Sequence, residues 1–152
     1  MNNAVLPQPQ HQVFLINLNL RPDSKDIFRI SRRELGVWGE NRAASFLEMQ
    51  GFKILARNWR CTLGELDLVI YHPKLDSLRA VEVKTRRTNR FGSGKEAVTA
   101  HKLITLRVLL SCFLKETEYS AKSIGIDVVS ISRYGASFYL EYLPGVDDGK
   151  TW

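Results

Sequence analysis

Cysteine, histidine and long apolar runs are what this chain has least of, and each shortage removes a class of function. The two cysteines, Cys61 and Cys112, lie far apart and outside any metal-ligand or redox spacing. They read as reduced, partly buried thiols, which excludes a disulfide scaffold and thiol catalysis. The three histidines, His11, His72 and His101, are scattered and form no ligand set. There is no apolar run of the ~18 or more residues that would cross a bilayer. Val13 to Leu20 comes nearest to a signal-peptide core, but Asn17 and Asn19 interrupt it and no basic residue precedes it. Export is therefore not expected, and the expected location is the cytoplasm.

What remains is the composition of an ordinary globular domain, with 44% hydrophobic and 25% charged residues in 152. A chain of this length is most simply one domain that buries about two thirds of its unfolded surface. Its net charge of +6 is informative because the excess is local. From Arg79 to Arg107 eight Lys or Arg residues face only two acids, Glu82 and Glu96. A positive zone of this density points to a polyanionic partner, nucleic acid above all.

Periodicity divides the chain into three parts: an arm at 1–30, a domain at 31–143 and a tail at 144–152. The arm is rich in Asn, Gln and Pro without a periodic apolar face, so it is expected to be disordered or loosely attached, the alternative being an added strand at Val13 to Leu20. Ser31 and Glu34 form a capping box for a helix that Gly51 ends. Its apolar stripe is Leu35, Trp38, Ala43, Phe46 and Leu47, with Glu40 at the margin. Phe52 to Arg60 reads as a strand. A basic, Gly-containing loop at 88–94 leads to a second helix at 96–116, buried through Leu103, Leu106, Leu109, Leu110, Phe113 and Leu114, with Lys102 on its edge. Strands at 124–131 and 136–143 follow. The order predicts an α/β sandwich with a mixed sheet.

The chemistry lies in the hairpin between those helices. Closing the loop His72 to Ser77 pairs Tyr71 with Leu78, Val69 with Ala80, Asp67 with Glu82 and Glu65 with Lys84. One face then carries Leu66, Leu68 and Ile70 against Val81 and Val83. The other is apolar near the turn and gathers Glu65, Asp67, Glu82 and Lys84 at its far end. Like charges placed opposite each other destabilise a sheet, so a cation belongs between Asp67 and Glu82. Two such carboxylates, with Glu40 as a third from the flanking helix, make a hard-oxygen site suited to Mg²⁺ or Mn²⁺. Lys84 beside them can hold a phosphate oxygen or lower the pKa of an attacking water. Together they describe metal-assisted phosphodiester hydrolysis. Glu65 is open between an ion pair with Lys84 and a bond to a metal ligand, and Asp127 between a structural hydrogen bonder and a residue at the rim of the site. Trp38 and Trp59 read as core.

The string Gly39-Glu40-x-x-Ala43-Ala44, Gly51-Phe52, Asn58-x-Arg60, Gly64-Glu65-Leu66-Asp67-Leu68-Val69, Val81-Glu82-Val83-Lys84-x-Arg86, Ala97-Val98, Lys102 and Asp127-Val128-Val129 resembles the YraN-like family of small bacterial proteins. That family is similar to the restriction-endonuclease-like superfamily, close to Holliday-junction resolvases. The resemblance covers roughly Arg33 to Leu143. It implies a restriction-endonuclease-like three-layer sandwich with an α-β-β-β-α-β core, Asp67, Glu82 and Lys84 as an Asp…Glu-x-Lys motif, and Glu40 as the helix carboxylate. Leu66 stands where the superfamily often has proline, which leaves the ligand itself intact.

The reading that follows is a cytoplasmic, Mg²⁺- or Mn²⁺-dependent nuclease acting on DNA, branched or damaged DNA included. Asp67, Glu82 and Glu40 would hold the metal, Lys84 would orient the nucleophile, and Arg86, Arg87, Arg90, Lys95 and Lys102 would contact nucleic acid. The alternative is a non-catalytic DNA- or RNA-binding module that keeps the fold. Cutting two strands takes two active sites, so a homodimer is a reasonable expectation.

Overall fold

The capping box forms as its spacing predicts: Ser31 Oγ accepts from Glu34 N at 3.1 Å and Ser31 N donates to Glu34 Oε2 at 2.8 Å. In the computed structural model, which describes residues 12–16, 29–88, 98–134 and 137–147, it opens α1 (Arg32–Met49). Gly51 ends the helix at φ 92, a left-handed conformation that a side chain would strain. Then come β2 (Lys53–Cys61), β3 (Gly64–His72) and β4 (Ser77–Arg86). After them come α2 (Ala100–Thr117), β5 (Ser123–Tyr134) and β6 (Ser137–Leu143). Before all of these lies β1 (Gln12–Ile16), which pairs antiparallel with β6.

The six strands form one sheet in the order β1-β6-β5-β4-β3-β2. Only β4 and β5 run parallel. A parallel neighbour needs a crossover, and α2 supplies it on one face. Leu106, Leu109, Leu110 and Phe113 pack there on Val69, Leu78, Ala80 and Ile126. The opposite face is covered by α1, through Leu35, Ala43, Ala44, Phe46 and Leu47 against Val81, Val129, Ile131, Phe138, Leu140 and Tyr142. The result is the three-layer α/β sandwich with a mixed sheet. Trp38 meets Phe138 edge-on at 5.2 Å and Trp59 meets Phe113 at 5.5 Å, so both indoles serve the cores.

Three boundaries differ from the sequence expectation. Of the two readings of the arm, the added strand forms over Gln12–Ile16, a shorter span than Val13 to Leu20, and it extends the sheet edge beside β6. The second helix starts at Ala100, where Thr99 Oγ1 accepts from Lys102 N at 3.2 Å; residues 96 and 97 lie outside the described residues. The tail also belongs to the domain as far as Asp147: Val146 N donates to Ile126 O at 3.0 Å, and the Asp147 carboxylate, 5% exposed, takes Ile126 N.

The close approach of α1 to β4 matters for everything beyond it. A Cβ on Gly39 would stand 1.8 Å from Thr85 Oγ1, so only glycine lets the helix lie this near the strand end. Gly39→Ala is expected to cost about 1–3 kcal/mol by overpacking. Combining it with Thr85→Ala should recover part of that loss, which denaturant melts of the two single variants and the double variant will measure.

Candidate active site

The site forms where β3 and β4 part. Their ladder follows the predicted register through His72↔Ser77, Tyr71↔Leu78, Ile70↔Arg79, Val69↔Ala80 and Leu68↔Val81, then stops. At the next step Asp67 does not simply face Glu82 across the sheet. Its Oδ2 accepts the Val83 N–H at 2.8 Å, doing with a side chain what a ladder carbonyl would have done. The alternation of faces slips at the same point: Leu68 and Ile70 belong to the α1 core, whereas Leu66 belongs to the α2 core. The expected row of Leu66, Leu68 and Ile70 on one face is corrected accordingly.

On the other side of Asp67 the β2 strand is irregular too. Asn58 falls between the pairs Arg57↔Leu68 and Trp59↔Leu66. It adopts φ 48, a left-handed conformation that Asn tolerates better than most residues. Its Nδ2 donates to Glu40 Oε2 at 3.2 Å. One residue earlier, Arg57 Nη1 donates to Asn41 Oδ1 at 3.0 Å. Together these bonds tie α1 to β2 and hold Glu40 on the side of Asp67. No role for Asn58 followed from its sequence position, although it stands inside a spaced Asn-x-Arg motif and Asn is the residue a left-handed strand position calls for.

Glu82, only 2% exposed, does not stand alone. Its Oε1 lies 2.6 Å from Lys84 Nζ and 3.3 Å from Lys102 Nζ. The cation that two opposed carboxylates require is thus supplied twice, once from the same strand and once from α2. Lys102 therefore sits inside the site rather than on an outer nucleic-acid rim. Asp67 is less well compensated. Burial, then the charge of Glu82, outweighs the Val83 amide bond, and with the charge of Glu40 added its carboxyl is pushed up to about 6. That response places both glutamates within electrostatic reach of Asp67.

Other expected residues fall elsewhere. Glu65 forms its ion pair with Arg60 on the neighbouring strand, at 2.9 Å, because β2 and not β4 lies beside it at this point; the pairing of Glu65 with Lys84 is corrected. Asp127 is structural. It is fully buried, accepts from Tyr142 Oη at 2.7 Å and Gly145 N at 2.8 Å, and meets Arg79 Nε at 3.5 Å. Burial raises its carboxyl against the pull of Arg79, and raises the Tyr142 hydroxyl as well. Arg79 and Arg107, which pairs with Asp147, are therefore spent on this network and withdrawn from the basic surface. Arg87 donates to the Ile30 carbonyl. Arg90 and Lys95 lie outside the described residues.

Among the described residues no three Asp, Glu, His or Cys side chains are grouped as a ready-made metal cluster. The donor chemistry nonetheless suits a hard divalent cation. Asp67 engages Val83 with Oδ2 and Glu82 engages both lysines with Oε1, which leaves Asp67 Oδ1 and Glu82 Oε2 outside those bonds. Mg²⁺ is commonly held by one or two carboxylates, with water and substrate phosphate completing its shell.

The chain matches a family model described as Uncharacterised protein family UPF0102 over residues 39–131, a span that includes Glu40, Asn58, Asp67, Glu82, Lys84 and Lys102. A UPF0102 protein of Syntrophomonas wolfei is 50% identical over 99 residues, covering 65% of this chain and 84% of that protein. One from Mycolicibacterium gilvum is 41% identical over 117 residues, covering 76% and 95%. One from Syntrophotalea carbinolica is 40% identical over 121 residues, covering 80% and 97%.

The raised carboxyl of Asp67 sets a pH dependence of stability. A folded-state pKa near 6 against an ordinary 3.8 means that the folded protein holds this proton more tightly than the unfolded chain. The contribution is fully present below the unfolded value and is lost as pH rises through about 6. Asp67→Asn keeps an oxygen for the Val83 N–H and carries no charge. The metal-free variant is expected to gain about 1–2 kcal/mol on the parent between pH 4 and pH 7.5. Paired melts across that range test it; a gap that stays constant would detach Asp67 from the neighbouring acids.

Proposed function

This chain belongs to UPF0102, the YraN-like family that its motifs resemble, and we propose that it is a metal-dependent nuclease-like protein hydrolysing phosphodiester bonds in DNA, branched or damaged DNA included. One observation carries the reading. Asp67 at the parting of two strands, buried Glu82, and Lys84 two residues on in the same strand are assembled at one sheet end, with Glu40 within electrostatic reach. Burial and the charges of Glu82 and Glu40 raise the Asp67 carboxyl, a burden on the fold that a bound cation would relieve.

In this reading Asp67 and Glu82 would hold Mg²⁺ or Mn²⁺, and Glu40 would contribute through water from its place on Asn58. When bound, the metal supplies Lewis-acid activation of a phosphate and a more acidic water. The remaining steps belong to the side chains. Glu82 would hold the metal through the oxygen outside its lysine bonds, and Lys84 beside it would orient the nucleophile or hold a phosphate oxygen. Lys102 stays close enough to share the negative charge that develops on phosphorus oxygens. Arg86 and Arg87, at and just beyond the end of β4, and Arg90 and Lys95 after them, would follow the backbone of the nucleic acid. A homodimer would bring the second active site that cutting two strands requires. No helix among the described residues is long and apolar enough to cross a membrane. A cytoplasmic location fits the reading.

A second reading, a DNA- or RNA-binding module without turnover, is favoured by the two lysines on Glu82, which neutralise its charge with no metal present. The two are separated by one experiment. Wild type is melted with and without millimolar Mn²⁺ and offered linear, flapped and four-way DNA. The nuclease reading expects Mn²⁺ to stabilise wild type by up to ~2.7 kcal/mol at a hundredfold excess over Kd. Asp67→Asn should abolish that gain. Lys84→Ala should keep it while slowing cleavage by roughly two to three powers of ten. If wild type neither gains stability from Mn²⁺ nor cuts any substrate, the binding module stands instead.

A further inference from the structure

A cleft of about 720 Å³ opens where the end of β4 meets the start of α1. Ile30, Leu35 and Thr85 line it together with Arg32, Arg86, Arg87 and Thr88. Thr85 lies under Gly39 of α1, so the cleft belongs to the α1 side of the sheet. The Glu82–Lys84–Lys102 cluster involves α2, which covers the other side. The cleft thus lies apart from the Glu82–Lys84–Lys102 cluster while sharing its strand.

Its cations single it out as an anion site. Three guanidiniums are drawn from two elements remote in sequence, and Arg87 is held across the gap by its bond to the Ile30 carbonyl. Arg32 brings its guanidinium from the first turn of α1, where Glu34 of the capping box supplies the acidic charge that the helix dipole favours. Guanidinium is the side chain that meets phosphate through paired N–H donors. Two aliphatic side chains beside it suit the sugar of the same nucleotide.

We propose that this cleft binds a phosphate of the nucleic-acid strand close to the one that meets Lys84. Successive strand residues advance ~3.3 Å, so Arg86 lies ~7 Å beyond Lys84. A B-form strand rises ~3.4 Å per nucleotide along its axis, which puts the cleft about one to two nucleotides from the carboxylate site. The proposal rests on the nuclease reading only for where the strand runs. The phosphate is either internal to the strand or a 5′-terminal one, and the chemistry of recognition is the same.

The test is binding of the full chain to labelled flapped DNA, with and without a 5′-phosphate, by fluorescence anisotropy in the absence of divalent metal. Arg32→Gln and Arg86→Gln are each expected to weaken binding about tenfold. Arg33→Gln, which removes the neighbouring charge from outside this cleft, should leave binding nearly unchanged. A loss confined to phosphorylated DNA assigns the cleft to a strand end, and an equal loss on both assigns it to an internal phosphate. Arg32→Lys keeps charge and helix but lacks the paired donors; it is expected to bind a few-fold more weakly, and it carries the test if Arg32→Gln melts early. Wild-type affinity in Arg32→Lys and Arg86→Gln, or an equal loss in Arg33→Gln, overturns the proposal. With no metal present, the result stands whether or not the carboxylates bind Mn²⁺ or DNA is cut.

Discussion

The bond from Val83 N–H to Asp67 Oδ2, at 2.8 Å, is the contact on which the site depends. A β-ladder satisfies its amides with carbonyls, and a strand that leaves the ladder must find another acceptor. Asp67 is that acceptor, so β3 can depart from β4 without stranding a donor. The departure opens the sheet end beside Glu82 and Lys84. The same carboxylate that closes the hydrogen-bond account is thereby held near two other acids, and its affinity for a proton rises. Local structure and site chemistry meet in one side chain.

Two clusters of charge are built into this domain, and they are handled differently. At the start of β5, Asp127 is enclosed by Tyr142, Gly145 and Arg79, and the chain after β6 is pinned there through Asp147. Gly125 has no side chain because a Cβ would collide with Arg79 Nη1 at 1.8 Å. This arrangement reads as structure. At the end of β4, Glu82 meets two lysines that are each 38% exposed, while Asp67 keeps its raised carboxyl. Side chains half in solvent can move, and charges that move can be exchanged for those of a substrate.

Much of this was legible in the amino-acid order. The capping box at Ser31 and Glu34, the stop at Gly51 and the turn from Pro73 to Asp76 are local, and each formed as its chemistry dictates. The hairpin register followed from loop length and alternation, which is why Asp67, Glu82 and Lys84 were found together. Glu65 was mispaired because the same arithmetic, carried past Leu68, assumes that the ladder continues. Asn58 was passed over because its role depends on α1, eighteen residues earlier at Glu40. Arg79 and Arg107 looked like surface charge because nothing nearby in the chain shows that Asp127 and Asp147 come to meet them.

The division has a physical basis. Periodicity, caps and turns report interactions between residues close in sequence, so the sequence by itself determined the helices, the central strands, their layering and the residue types at one sheet end. Where a ladder opens, which acid each lysine reaches and which arginines leave the surface are set by balances among groups brought together from distant segments. Burial and mutual charge decide those balances, and they arise only when α1, α2 and the six strands are packed. The tertiary structure alone therefore decided that Asp67 would bind an amide of the next strand, that Lys102 would join Glu82, and that Arg32 would stand across a cleft from Arg86.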